Sequence, residues 1–368
     1  MVIRRGFRGS KEELFAPRRE GRPQRSAGVG RDISLLILYS PRYKKKCFSA
    51  TIRNMNNNHK MLVLQELAQK NGPLCVGLDP DPSYIPDSVL KNYASAADAV
   101  LAYNQAIINR VAADKSACCF KVQIAYYEAM GLAGMKVYAQ TLAAVKKSGL
   151  IAISDIKRGD IAATADAYAR AHFTGDFETD IITINPYMGF DTLQPFTKYC
   201  SPELGGKGAF VLLRTSNPGM KDIEQQELAC GGRVLDGVGA ELERISADFK
   251  EVYSGLGTAY TCSPVGAVVG CTEESDARIL RNAYPDIFFL IPGYGAQGGA
   301  ARIAATLLDK AGGTVNSSRG ILCAWKKDEE LAAAREAGTL TLDDIADAAA
   351  RASLASKEDL LKAKADCC

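Results

Sequence analysis

The sequence predicts one α/β domain, a (β/α)8 TIM barrel, behind a basic N-terminal extension. Three observations predict it. From Leu74 onward, short strand-like runs alternate with longer alanine-rich stretches of helical period, the pattern of parallel βαβ units. Eight such alternations can be counted, and eight in about 250 to 300 residues suit a closed barrel, whereas an open doubly wound sheet usually has fewer strands. Polar residues also gather just after the strand-like runs, at the end where barrels of this kind carry their active sites.

Taken in order, the expected strands account for that gathering. Leu74–Leu78 closes on Asp79, and Cys118–Val122 carries Lys121 near its end. Leu150–Ile156 ends in Asp155 and leads to Lys157, and Ile181–Ile184 follows. Ser216 and Asn217 come after Ala209–Leu213, and Val265–Val269 is the sixth run. Gln297 lies beyond Phe288–Ile291, and Arg319 beyond Thr314–Asn316. The intervening helices are expected at Ala94–Ala112, Tyr126–Lys147, Ala162–Phe173, Val234–Ser254 and Arg302–Lys310, with a closing helix after Trp325. Charges placed only for solubility would scatter over both ends of a barrel and over its helices, so this one-ended set favours an enzyme over a binding module.

Composition narrows the function further. With 368 residues, 47% hydrophobic and 24% charged, the chain has material for a large core. The apolar run Leu35–Tyr39 is far below the roughly 20 residues of a membrane-spanning helix. Eleven cysteines without a CxxC, and two histidines, signal neither a disulfide framework nor a zinc site, and point to a reducing, cytoplasmic compartment. The net charge of +3 is uneven: residues 1–60 hold 15 Lys or Arg against 4 Asp or Glu, which leaves 30 against 38 beyond them. The folded part is therefore mildly acidic, and nucleic acid is not an expected partner. Residues 1–60 read as a disordered extension, with the barrel domain expected over 61–368. An Arg-rich, acid-poor leader can also direct a protein to an organelle, but Glu12, Glu13, Glu20 and Asp32 interrupt that pattern.

The segment Asp155-Ile-Lys-Arg-Gly-Asp160 carries the clearest chemistry. Residues two apart on a strand share a face, so Asp155 and Lys157 point to the barrel mouth with Ile153 below them, and Ile156 points to the helices. With Lys121 from the next strand and Asp160 from the loop, two ammonium and two carboxylate groups can interleave. Such a set costs desolvation energy and is poor evidence of stability, which favours a functional reason for it. Asp79, in an Asp-Pro-Asp-Pro run, reads locally as the cap of a turn. The glycine-rich loop Pro292-Gly-Tyr-Gly-Ala-Gln-Gly-Gly299 and Asn316-Ser-Ser-Arg-Gly320 stand where barrels bind phosphate, with Gln297 and Arg319 as donors; tight turns and helix caps are the plainer alternative.

With these residues placed, the chain resembles the orotidine 5′-phosphate decarboxylase family, in its branch with longer strand-end loops. The resemblance runs from about Leu62 to the last helix. It rests on Leu74-Cys-Val-Gly-Leu-Asp-Pro-Asp-Pro82, Phe120-Lys-Val-Gln-Ile-Ala-Tyr-Tyr-Glu128, Asp155-Ile-Lys-Arg-Gly-Asp-Ile161, Leu213-Arg-Thr-Ser-Asn-Pro-Gly219 and the glycine loop around Gln297. It implies conversion of orotidine 5′-monophosphate to UMP and carbon dioxide, with no metal or organic cofactor. Lys121, Asp155, Lys157 and Asp160 match the family's Lys-Asp-Lys-Asp set. By the same resemblance Asp155 lies beside the substrate carboxylate, and Lys157 stabilises the C6 carbanion and protonates it. Asp79, Lys121 and Thr164 would reach the ribose, Ser216 the pyrimidine amide edge, and Gln297 and Arg319 the phosphate. Ser216–Ala229 is a candidate lid. The family's pattern further implies a homodimer, with Asp160 and Thr164 donated across the interface. No phosphoribosyltransferase domain is expected after Trp325, and the Cys367-Cys368 tail has no counterpart in the family. Two alternatives stay open: a metal-dependent hexulose-phosphate synthase, which shares the barrel and a similar acid–base set, and a catalytically dead binder of phosphorylated ligands.

Overall fold

A computed structural model describes residues 58–271, 273–294 and 300–367. Eight strands, β1 (Leu74–Leu78), β2 (Cys119–Gln123), β3 (Ile151–Arg158), β4 (Ile181–Ile184), β5 (Gly208–Arg214), β6 (Val265–Val269), β7 (Phe289–Ile291) and β8 (Gly313–Ser317), form a closed barrel. Each is parallel to the next, and β8 returns to β1 through the pairings Leu74–Val315, Cys75–Asn316 and Val76–Ser317. The expected (β/α)8 barrel is therefore the observed fold.

Side-chain alternation along the strands divides the core into two layers. Val76, Phe120, Ile156, Ile182, Val211, Ala267, Phe289 and Val315 face outward and pack with the helices. Cys75, Cys119, Ile151, Ile153, Ile181, Phe210, Val268, Phe288 and Leu290 fill the barrel itself. Gly266 keeps that filling possible, because a Cβ there would lie 2.7 Å from the Phe210 ring and 2.5 Å from the Phe288 carbonyl.

The N-terminal end of the barrel is closed by the helix Lys60–Asn71, which the sequence did not mark as an element. Its run Met61-Leu-Val-Leu64 is too continuous to show a helical period, yet Met61, Leu62 and Leu64 are buried in the inner layer. The Gln65 amide donates to the Ala311 carbonyl at 2.6 Å and accepts from the Thr261 hydroxyl at 2.5 Å. His59 caps the helix, its Nδ1 accepting from the Leu62 N–H at 3.0 Å, and its ring meets Tyr253 edge-on at 4.7 Å. Lys60 pairs with Asp180 at 3.0 Å. His59 and Lys60, assigned to the extension above, thus already belong to the packed barrel. Residues 1–57 and the reading of them as disordered lie outside the described residues.

Two helices also depart from expectation. Tyr126–Lys147 is two helices, Ile124–Glu128 and Gly131–Lys147, broken where Gly131 takes a φ of 67°, a left-handed conformation that suits glycine. Glu274–Ala283 is a helix with no sequence forecast; Ala277, Leu280 and Arg281 are its buried residues. The closing helix is Leu342–Cys367, which packs on Ala96–Ala113 and on the region of Ala300–Leu307. Among the described residues no helix is long and apolar enough to cross a membrane.

Candidate active site

At the opposite end of the barrel the inner face changes from apolar to charged within one residue pair. The register sets Gly77 beside Lys121 and Gln123 beside Asp155, so the ends of β1, β2 and β3 converge. Lys121 Nζ lies 3.1 Å from Asp79 Oδ1 and 3.1 Å from Asp155 Oδ2. Lys157 Nζ lies 2.6 Å from Asp155 Oδ1. The result is a continuous Asp79–Lys121–Asp155–Lys157 chain of alternating charge. It runs from buried to open: the side chains of Lys121 and Asp155 are 8% and 7% exposed, and that of Lys157 is 47% exposed.

Neutral donors complete the Asp155 carboxylate. The Gln123 amide donates to Oδ2 at 2.9 Å and the Thr183 hydroxyl to Oδ1 at 2.9 Å, so two oxygens receive four donors, about the capacity of a carboxylate. Burial alone would raise the Asp155 pKa; the Lys121 and Lys157 ammonium groups outweigh it and bring it down to about 2. Burial likewise would lower the Lys121 pKa, but Asp155 and Asp79 hold it above its usual value. Lys121 and Asp155 are therefore both charged at neutral pH, and the Lys157 amine is presented at the edge of the mouth.

Asp79 is not the cap of a turn. That task falls to Asp81, whose carboxylate accepts from the Ser83 N–H at 2.9 Å at the start of the short helix Pro82–Tyr84. Asp79 Oδ2 instead accepts from Ser318 Oγ at 2.7 Å, and Asn316 donates to that hydroxyl at 3.2 Å. Gly77 leaves the space for this crossing, since a Cβ would stand 2.0 Å from Ser318 Oγ.

The other expected residues are less closely gathered. Asp160 is half-buried and accepts from the Ile161 N–H at 2.8 Å; no contact joins it to the charges of its own chain among the described residues. Thr164 is exposed in the first turn of the helix Ala162–Phe173. Arg319 is exposed at the first position of Arg319–Leu322, after β8. Gln297 lies outside the described residues. Ser216 is exposed just beyond β5 and packs so closely on Gly270 that a Cβ there would come within 2.9 Å of its own Cβ.

The segment expected as a lid is tied to the barrel at its start. Glu224 accepts from the Thr215 N–H at 2.9 Å and from its hydroxyl at 2.7 Å, which fixes the residue before Ser216. Beyond it the chain makes a short helix, Met220–Ile223, and an isolated antiparallel backbone β-bridge between Glu227 and Arg233 before Val234–Gly255. Arg214, fully buried, pairs with Asp276 at 3.0 Å and donates to the Gly270 carbonyl. A cavity of about 720 Å³ opens between this segment, the Asn185–Phe190 loop and the end of β5. Among the described residues no three His, Cys, Asp or Glu side chains converge as metal ligands would.

Sequence reading missed Gln123, Thr183, Asn316 and Ser318. Period-two alternation from Lys121 finds Gln123, and from Thr314 it finds Asn316 and Ser318. Thr183 leaves a fainter trace, one hydroxyl in the otherwise apolar run Ile181-Ile-Thr-Ile184.

The chain is similar to known proteins in sequence and in fold. The chain is 51% identical over 267 residues to an orotidine 5′-phosphate decarboxylase of Clostridium novyi, covering 72% of this chain and 89% of that protein. It is 51% identical over 268 residues to the Clostridium botulinum (strain Langeland) protein of that name, covering 73% and 90%. Among solved structures, OMP decarboxylase from Leishmania donovani is similar with a TM-score of 0.55 and 28% identity, over 78% of this chain and 98% of that one. A putative orotidine-monophosphate-decarboxylase from Toxoplasma gondii gives 0.60 and 27%, over 80% and 98%. A profile of the orotidine 5′-phosphate decarboxylase / HUMPS family matches residues 72–335. With the barrel, the charge chain at its mouth and these relatives together, the chain belongs to the orotidine 5′-phosphate decarboxylase family.

Proposed function

We propose that the chain decarboxylates orotidine 5′-monophosphate to UMP, in pyrimidine biosynthesis, with Lys157 as the group that meets the reacting carbon. The observation that carries this reading is the graded exposure of the charge chain. Lys121 and Asp155 are buried and hold each other charged, while Lys157 extends the same chain into the open mouth.

In this reading the substrate carboxylate lies against Asp155, where two like charges raise the energy of the bound ground state. The C6–carboxyl bond breaks, carbon dioxide leaves, and the electron pair stays on C6. The Lys157 ammonium, already in place, stabilises that charge and gives its proton to C6; solvent then reprotonates the amine. A preorganised cation aimed at developing charge is the largest kind of catalytic contribution. Asp79 and Lys121 bind the ribose hydroxyls, Ser216 the pyrimidine amide edge, and Arg319 with Gln297 the phosphate. Binding energy from the phosphate is realised at C6 when Ser216–Ala229 closes over the substrate.

We further propose a homodimer in which Asp160 and Thr164 serve the partner's site. Two features support it. Among the described residues, no charge of its own chain engages Asp160. Large apolar side chains, Ile161, Tyr168, Tyr187, Met188 and Phe190, stand exposed near it. They belong to the loops and helix after β3 and β4, which abut closely enough that a Cβ on Gly159 would lie 2.8 Å from the Asn185 carbonyl. Residues 1–60, apart from the packed His59 and Lys60, are proposed as an extension ahead of the barrel, and the cytoplasm as the protein's location, a reading supported by free thiols at all nine described cysteines.

Loss of orotidine 5′-monophosphate absorbance with purified protein, with and without excess EDTA, tests the chemistry. Turnover indifferent to the chelator is expected; turnover that needs magnesium, or occurs only with pentulose phosphate, would overturn it in favour of the sugar-phosphate reading. Mixing inactive Asp160→Ala and Lys157→Ala chains tests the dimer. Shared sites predict partial recovery of activity, and heterodimers without recovery place Asp160 in its own subunit's site.

A further inference from the structure

β3 and β4 are not paired evenly. Ser154 pairs with Ile182 and Arg158 with Ile184, so three residues of β3, Asp155 to Lys157, stand opposite one residue of β4, Thr183. A bulge of this kind re-aims side chains and takes backbone groups out of the ladder. Here it includes Lys157, whose φ of 46° is left-handed and unusual for a residue with a side chain. The bulge thus carries both the carboxylate and the ammonium proposed to act on the substrate.

Thr183 is fully buried, and its single hydroxyl serves all three residues of the bulge. Its oxygen accepts from the Ile156 N–H at 3.0 Å and from the Lys157 N–H at 2.9 Å, and its proton goes to Asp155 Oδ1 at 2.9 Å. One donor and two acceptor sites exhaust what a hydroxyl can do. Two N–H groups that the bulge removes from the ladder are thereby satisfied, and the accepted bonds orient the hydroxyl toward the carboxylate.

We infer that Thr183 is a positioning residue for the decarboxylation: it holds the strained backbone of Lys157 and the Asp155 carboxylate in one geometry without touching the substrate. The inference rests on the roles proposed above for those two residues. No other side chain in the described structure bonds both the Lys157 backbone and the Asp155 carboxylate. A methyl in place of the hydroxyl keeps the volume and loses all three bonds, which separates positioning from packing.

The test compares Thr183→Val with Thr183→Ser. In Thr183→Val, kcat should fall about 10- to 100-fold, the scale of a lost hydrogen bond to a charged group, while KM and the calorimetric affinity for UMP stay near those of the unaltered chain. Thr183→Ser, which keeps the hydroxyl, should recover most of the lost rate. Unchanged kcat in a folded Thr183→Val protein overturns the inference, as does a Thr183→Ser protein equally impaired, or a loss confined to KM. Residue-resolved amide exchange of the unaltered chain gives a reading that needs neither a folded variant nor turnover. The Ile156 and Lys157 amides should exchange as slowly as ladder amides of β3, and fast exchange at both refutes the bonds to Thr183. If the unaltered chain exchanges as expected but does not decarboxylate the substrate, the functional reading fails and the Thr183 geometry stands.

Discussion

The two ends of this barrel are built from the same strands and obey opposite rules. At the N-terminal end Met61, Leu62 and Leu64 meet Cys75, Ile151, Ile181 and Phe288 in an apolar floor, where His59 caps the helix and Gln65 bonds it to Thr261 and Ala311, ahead of β6 and β8. At the C-terminal end, two to four residues further along β1, β2, β3 and β8, the inward positions become Asp79, Lys121, Asp155 and Asn316. Burying a Leu or Met side chain is worth about 1.5–3 kcal/mol, whereas a buried ion chain costs desolvation that its pairing only offsets. The floor therefore supplies stability and the mouth consumes it. Substitutions at the two ends should separate the two quantities.

The largest effect belongs to the mouth. Lys157→Ala is expected to lower kcat on the order of 10³-fold, the loss seen when one preorganised charge-stabilising group is removed, with the thermal transition left in place. Lys157 is half open to solvent and the Asp155 carboxylate keeps Lys121, Gln123 and Thr183 as donors, so little packing is lost. A folded Lys157→Ala protein with full activity would falsify the assignment of the proton donor.

Met61→Ala is the complementary break. Met61 is fully buried in the floor, and truncation there should cost about 2–5 kcal/mol of stability through lost contacts and a residual cavity. Denaturant unfolding measures the loss, and kcat below the new transition should match that of the unaltered chain. A fall in kcat without a fall in stability would mean that floor and mouth are coupled through the inner layer.

The same division decided what was legible in the sequence. All eight strands lie within two residues of their expected ends, because strand period and turn residues are local signals. β3 runs two residues beyond expectation, since the bulge opposite Thr183 carries its pairing on to Arg158. Lys121, Asp155 and Lys157 were legible because charge at the end of an apolar strand has few structural explanations. Asp79 was ambiguous: its own neighbours suggest a turn, and only the β1–β2 register, which sets Gly77 beside Lys121, brings it to the ammonium. Thr183 was hidden for a stronger reason, since its role exists only where a register shift leaves two N–H groups without partners. The floor helix was hidden because a continuous apolar run has no period to read.

Acid sharpens the contrast with the smallest effect. Burial lowers the pKa of His59, at the floor, from 6.5 to about 4, only partly opposed by a backbone hydrogen bond at Cys262. His172 is likewise lowered to about 4, by burial and then by Arg158. Above pH 6.5 both are neutral folded or unfolded and stability is insensitive to them. Between 6.5 and about 4 the unfolded chain takes up protons that the folded chain refuses, so stability falls with pH, by at most about 3 kcal/mol for each histidine. Asp155 behaves differently, because its pKa is lowered from 3.8 to about 2. Its contribution is complete above 3.8 and is lost only as pH drops toward 2. Acidification from 6.5 to 4 should therefore loosen the floor while Asp155, at the mouth, keeps its charge. His59→Asn removes the titration and keeps an oxygen acceptor for the Leu62 N–H. In urea unfolding at a series of pH values, this variant should lose about half of the slope between 6.5 and 4 and none of that below 4. An unaltered slope would move the acid sensitivity away from the floor, and a change below 4 would show that floor and mouth do not titrate separately.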